Sequence, residues 1–375
     1  MAAISAIYID MTADPAEAIA LASPTVGIIW IVYYGLVAIA INICAFMAPS
    51  KMRAMFGFMN RIQQINLEIN GNNSDQRDKW FVVVVIMDLI LHTVLTSYDC
   101  SVLFRRDKIR NKIETFIRSL FVSHYLVYYN QIFIIMMFQL HVLALQTALK
   151  TINEHLERMF YVIRNKGFQN AEDVDLFKRY EIPFESMVPL KSLNAAIDRI
   201  SYTAHRLPRR RPIHETLRAI THSYLDICKL IEDVNRTFGT VILVLLLTSL
   251  VQLVTMGYYA FMTIYSKRML KMQLVWCLRH LLTILLLTEP CHWTYQEMMR
   301  TRHLTEQLTC GTATVMGPFA AMLNKFFYCL CLNKTSFSPL GVCTLTRSIS
   351  AAILGSMITY LVIVIQFNLD TDNEG

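Results

Sequence analysis

The chain has 375 residues, is 54% hydrophobic and 17% charged, and carries a formal net charge of +7. Soluble domains carry about a quarter charged residues, so a soluble class is excluded, and long apolar runs that do not alternate exclude an outer-membrane barrel. The basic residues concentrate in particular loops, as membrane topology requires, which argues against a nucleic-acid binder.

Residues 1–22 are weakly apolar, lack a basic start and are interrupted by Asp10, Asp14 and Glu17, so they do not form a cleavable signal peptide. Six spans follow. The first covers 25–47 and holds Trp30, Tyr33 and Tyr34. The second, 80–103, places Asp88 and His92 four apart on one face and Tyr98 and Asp99 near its end. A carboxylate at that depth must face protein or water, and Arg279 in a later span is a candidate partner. The third, 117–149, carries His124, Tyr125, Tyr128 and Tyr129 and is long enough to run on past the bilayer. The loop 150–237 holds Arg209-Arg210-Arg211 between prolines, read as a turn. The fourth span, 238–265, contains Gln252, Tyr258 and Tyr259, and the fifth, 272–288, contains Trp276, Arg279 and His280. Residues 312–332 are apolar enough to cross but hold Pro318, Asn324 and Lys325. The sixth span is 348–367, with Arg347 at its start, either anchoring it to the bundle or marking the membrane edge.

The expected fold is all-α: a single multi-pass helical membrane domain over 1–375, with 150–237 and 289–338 forming a helical anchor on the cytosolic side. Most Lys and Arg fall in 48–79, 149–237 and 289–338, which places those loops inside and both acidic termini outside; the basic loop 105–112 opposes this. The sequons at Asn72, Asn235 and Asn333 then lie inside and are expected to be unglycosylated. The nine cysteines are scattered, and Cys329 and Cys331 have no partners at zinc spacing, so they are read as small apolar packers, with no metal or cofactor expected.

The last span ends Thr359-Tyr360, five apolar residues, Gln366-Phe367. Thr359, Ile363 and Gln366 fall on one helical stripe. A helix buried only in lipid has no use for that amide, whereas one lining a watery path does. This pattern resembles the C-terminal signature of the insect gustatory receptors. Ile152-Asn153-Glu154-His155-Leu156, Asn235-Arg236-Thr237-Phe238-Gly239 and the stretch Cys291 to Leu308 resemble further segments of that family, in order.

The resemblance implies an inverted-topology seven-transmembrane chemoreceptor, related to insect odorant receptors, whose first span is degenerate or missing in 1–22. It also implies a ligand-gated cation channel in the plasma membrane of a sensory neuron, a homotetramer or mixed tetramer with the last helix around a central pore. Thr359, Tyr360, Ile363, Gln366 and Phe367 are the expected pore and gate residues. An apolar ring there can hold a pore dry. The helix carries no carboxylate ring, so weak discrimination among cations is expected; Asp370, Asp372 and Glu374 sit just beyond it. Candidate pocket residues are Trp30, Tyr34, Tyr98, Asp99, His124, Tyr125, Tyr128, Gln252, Tyr258 and Trp276. Such aromatic and hydroxyl-bearing faces suit small organic ligands, though Trp and Tyr also anchor spans at interfaces. A bitter or other non-sugar tastant is favoured, with sugars a further option.

Three rivals lack their marks. A G-protein-coupled receptor would carry Asn-Pro-x-x-Tyr in its last span, and none exists; Asp198-Arg199-Ile200 lies in a long loop. No HExxH, GxSxG or Walker motif supports an enzyme. No internal repeat or paired broken helix supports a transporter.

Overall fold

A computed structural model describes residues 35, 39, 53, 55–69, 76–105, 112–166, 213–262, 267–312 and 317–373. Apart from one single-turn 3-10 helix and short connections, these residues are α-helical. In chain order they form α1 (55–69), α2 (Gln76–Arg105), α3 (Lys112–Lys166), α4 (Ile213–Met262), α5 (Lys267–Gly311), α6 (Pro318–Leu332), a 3-10 turn at Pro339–Gly341, and α7 (Arg347–Asn373). The stretches 80–103, 117–149, 272–288 and 348–367 lie on α2, α3, α5 and α7, and 238–262 lies on α4. The span at 25–47 falls outside the described residues except for positions 35 and 39.

Helices α3, α4 and α5 have 55, 50 and 45 residues. At 1.5 Å per residue the shortest is about 68 Å long, more than twice the roughly 30 Å of bilayer hydrocarbon. Their sequences divide accordingly. In α4 no charged residue falls between Phe238 and Met262, while the preceding half carries Glu215, Arg218, Asp226, Lys229, Glu232, Asp233 and Arg236. α3 and α5 divide in the opposite chain direction, so the three charged halves meet at one end of the bundle. Among the described residues, the stretches helical, long and apolar enough to cross a membrane are Gln131–Tyr161, Ile213–Tyr258 and Gln273–Gly311; Val83–Tyr98, Pro318–Leu332 and Arg347–Ile363 are shorter apolar helices.

The charged halves are held together by a 4-3 repeat. On α3 the buried positions Phe138, Val142, Leu145, Leu149, Ile152, Leu156, Met159 and Ile163 alternate steps of four and three. α4 repeats the pattern through Ile213, Leu217, Ile220, Tyr224, Ile227, Ile231, Val234 and Phe238, and α5 through Leu287, Cys291, Thr294, Met298, Thr301, Thr305, Leu308 and Thr312. Apolar positions at a mean spacing of 3.5 keep one seam of each helix on its neighbours, as in a coiled coil. The α5 seam is rich in threonine, and most of these hydroxyls turn to their own helix: Thr294, Thr301, Thr305 and Thr312 lie 2.8, 3.0, 2.8 and 2.9 Å from the carbonyls four residues earlier, with Thr301 also 2.7 Å from Asn153 of α3.

Pro290 interrupts α5. It has no N–H, so the Leu286 carbonyl four residues earlier loses its helical donor. Gln139 on α3 supplies the replacement, donating from Nε2 to the Leu286 oxygen at 2.9 Å from a fully buried position.

α6 has 15 residues, fewer than the ~20 needed to cross a bilayer. It starts with Pro318 at its first helical position and buries Leu323, Phe326 and Leu330 against the core. Residues 318–332 therefore pack on the bundle as a short helix ahead of α7.

Candidate functional site

Within the apolar halves of α3, α4 and α5 lies a polar cavity. α3 contributes Gln131 and Ile135; α4 contributes Leu245, Thr248, Ser249 and Gln252; α5 contributes Arg279, His280 and Thr283. The enclosed space is small, room for about one water, within about 270 Å³ of empty volume that counts adjoining open space. Gln131, Thr248, Ser249, Gln252, Arg279, His280 and Thr283 are all buried. Thr248 and Thr283 donate to backbone carbonyls at 2.7 and 3.1 Å, which leaves their oxygens free to accept. The Gln131 Nε2 and the His280 Nε2 have no hydrogen-bond partner among the described residues. A buried amide without a partner costs about 1–3 kcal/mol, a cost that any acceptor in the cavity, a water included, relieves.

A second polar group adjoins it at His280. On α2, His92 is fully buried, with Thr96 Oγ1 3.4 Å from its Nε2. Its ring meets Tyr129 edge-on at 4.8 Å and Trp276 at 6.1 Å, while Trp276 stacks on His280 at 6.0 Å. The Arg279 guanidinium lies 5.6 Å from the Trp276 ring centre, and the Oδ1 of Asp88, its candidate partner by sequence, makes no hydrogen bond among the described residues. Four helices thus converge on one polar centre inside an apolar bundle. Polar groups at such depth are expensive unless they serve a site.

Of the pocket residues read from sequence, the structure brings two to this centre, Gln252 on the cavity wall and Trp276 beside it. Tyr258 is fully buried on α4 but is not on the wall, and Tyr98 is partly exposed beyond His92. Trp30 and Tyr34, and the side chains of Asp99, His124, Tyr125, Tyr128 and Phe367, lie outside the described residues. Sequence reasoning missed Gln131, Thr248, Ser249 and Thr283. A signal existed: Thr248, Gln252 and Thr255, like Trp276, His280 and Thr283, follow i, i+4, i+7 spacing and are buried. Among the described residues no cluster of His, Cys, Asp and Glu could hold a metal.

The last helix is built in two faces. Ser350, Ile353, Met357 and Leu361 turn toward the bundle. Ser350 shares a 2.7 Å hydrogen bond with Thr288, and a Cβ on Gly257 of α4 would stand 3.2 Å from Met357 Cε and 3.5 Å from Leu361. Thr359, Ile363 and Gln366 are exposed and lie about 200° around the helix from that face. Tyr360 is 55% exposed on a third direction, and Thr359 returns its hydroxyl to the Gly355 carbonyl at 2.9 Å. At its other end Arg347 is bound to Glu289 of α5, so it anchors the helix and does not merely mark an edge.

The motif residues in the charged halves also have structural partners. Asn153 Nδ2 donates to the Glu297 carbonyl at 2.9 Å and to its carboxylate at 2.8 Å, and Asn153 Oδ1 accepts from Thr301 at 2.7 Å. Phe238 packs on Phe138 with centroids 5.8 Å apart.

A model of the 7tm Chemosensory receptor family matches residues 19–371. The chain is 25% identical over 322 residues to the gustatory receptor for sugar taste 43a of Drosophila melanogaster, covering 82% of this chain and 73% of that protein. Its fold is similar to that of the insect olfactory receptor OR5 from Machilis hrabei, with TM-score 0.58, 12% identity, and 98% of this chain and 85% of that chain covered. The same receptor in complex with eugenol matches with TM-score 0.62, 11% identity, and 98% and 86% covered.

Proposed function

The chain belongs to the 7tm chemosensory receptor family, and from that premise we propose that it is a gustatory receptor working as a ligand-gated, weakly selective cation channel. The supporting observation is the last helix. Its Thr359–Ile363–Gln366 stripe points away from its own bundle, in a helix whose opposite face is already committed to α4 and α5. In a tetramer of such chains, four stripes would line one axis. Ile363 would supply the dry ring and Gln366 the amide that wets it when the helices part. Both chain ends would lie outside and the charged halves inside, in the plasma membrane of a sensory cell.

The tastant would bind at this polar cavity, widening a space that otherwise has room for about one water. An unpartnered amide, a guanidinium and a row of hydroxyl oxygens favour a small hydroxyl- or carbonyl-rich molecule over an apolar ring. The sugar-taste relative supports that preference over the bitter class that sequence alone favours. The decisive experiment expresses the chain in an otherwise unresponsive cell. Current is recorded during a panel of monosaccharides, polyols and quinine while G-protein signalling is blocked. Persistent evoked current is expected. Current abolished by the block would favour a coupled receptor instead.

A further inference from the structure

The segment between α6 and α7 is held by one side chain. Asn235 on α4 donates from Nδ2 to the Ser336 carbonyl at 2.7 Å and accepts the Ser338 N–H on Oδ1 at 3.0 Å. Both ends of the amide are used, on alternate residues of one extended strand of chain. Phe337 between them points into the core, 4% exposed, against Phe138. One turn along α4, Gly239 lets the Pro339–Gly341 turn approach so closely that a Cβ there would stand 3.1 Å from the Leu340 nitrogen. The turn itself runs through Leu340 at φ 51° and Gly341 at φ 71°. A left-handed leucine is costly and persists only when its surroundings hold it. Leu345 then donates back to the Phe337 carbonyl at 2.8 Å, and α7 begins two residues later.

α4 therefore touches the last helix and its lead-in at two places: here, and at Gly257 against Met357 and Leu361. The two lie 22 residues apart, about 33 Å along one helix. The cavity residues Thr248, Ser249 and Gln252 sit between them. The half of α4 before Asn235 is already packed in the core, so a load between the two contacts displaces the far one, at Gly257, most. We infer that Asn235 is a positioning residue for the gate: it fixes α4, at the point where its charged half gives way to its apolar half, to the lead-in of the last helix, so that ligand-driven displacement of the apolar half appears at Gly257 and spreads the outer part of α7. This rests on the channel reading above.

The test uses the full chain at matched surface level, the same panel of monosaccharides, polyols and quinine, and two variants. Asn235→Ala removes both bonds. It is expected to raise ligand-free current about threefold, the equilibrium shift of one net hydrogen bond, and to lower the ratio of evoked to ligand-free current by a similar factor. Asn235→Asp keeps an acceptor for the Ser338 N–H and loses the donor to Ser336, so it should fall between the two. A loosened but otherwise uncoupled structure would lower both currents together and leave their ratio unchanged; that result overturns the inference. So do wild-type currents from Asn235→Ala at wild-type surface level. Should Asn235→Ala not reach the surface, Asn235→Asp decides, and retention of both variants in the cell also counts against a gating role. A silent wild-type chain at full surface expression defeats the channel reading and this inference together. A conducting wild type with an indifferent Asn235→Ala defeats this inference alone.

Discussion

Arg347, the first residue of the last helix, grips Glu289 of α5 through two hydrogen bonds, Nε to Oε1 at 2.8 Å and Nη2 to Oε2 at 2.9 Å. Such fork-to-fork pairing fixes direction as well as distance. Both residues are partly open to solvent, so the pair contributes little to overall stability. Its consequence is local: with Thr288–Ser350 beside it, it ties the first turn of α7 to α5.

Arg347→Lys keeps the charge and loses the fork. It should leave the thermal midpoint of the purified protein nearly unchanged while altering the tastant concentration for half-maximal current by about threefold or more, a gating-scale effect. The exchanged pair Glu289→Arg with Arg347→Glu should recover part of that shift. Equal responses from all three proteins in concentration–response recordings would show that the pair is incidental.

Gln139→Leu should destabilise by about 1–3 kcal/mol, because the Leu286 carbonyl that Pro290 leaves without a helical donor would be buried unpaired. Pro290→Ala restores the backbone N–H. The double variant should then be less destabilised than Gln139→Leu alone, a coupling that a thermal-unfolding cycle measures directly.

Gln131→Leu fills the cavity wall with apolar surface and removes its unpartnered donor. The half-maximal concentration for a hydroxyl-rich tastant should rise about tenfold, the scale of one well-placed polar contact. Ligand-free current should not change. Equal loss of response to every tastant together with loss of surface protein would point to a folding role.

Gln366→Ala should alter unitary conductance or open time without moving the thermal midpoint, since Gln366 is exposed. Single-channel recording checks this, and unchanged conductance and gating would take Gln366 out of the pore.

Asn153 is fully buried among three hydrogen bonds. Asn153→Leu removes the amide donor from the Glu297 carbonyl and carboxylate, leaving the carboxylate its Arg300 ion pair at 3.6 Å, and should cost about 2 kcal/mol, in the range for breaking hydrogen bonds to a charged group. Detergent-solubilised protein followed by thermal unfolding reads the change.

The helices were legible where chemistry is continuous. The apolar stretches on α2, α4, α5 and α7 announce themselves because lipid demands unbroken runs. The extensions of α3, α4 and α5 beyond those runs are legible in sequence as a helical anchor, but not as continuations of the spanning helices through 4-3 seams. Their 4-3 repeat is diluted on α5 by Thr294, Thr301, Thr305 and Thr312, which are polar in sequence yet fit the core because their hydroxyls reach carbonyls of their own helix, Thr301 reaching Asn153 as well. The same effect hid Thr248 and Thr283 on the cavity wall, while Gln252 and Trp276 stood out as large side chains in an apolar run. Gln139 and Pro290 bear on one carbonyl, yet Gln139 and Leu286 are 147 residues apart, and no local pattern links them. Asn153, Asn235 and Gly239 were visible as motif letters. Their partners Glu297, Ser336, Ser338 and Leu340 were not, since each contact crosses between helices or onto a connector.

A seam whose hydroxyls bond inward is smooth to its neighbour. Lengthwise travel of α3 over α5 would leave the threonine bonds inside α5 intact. What resists it are the links that cross the seam: Gln139 to the Leu286 carbonyl, Asn153 to Glu297 and Thr301, and the Glu157–Arg300 ion pair. The two helices thus behave as a shaft in a sleeve with a few detents, and any stroke is set by how easily those catches release.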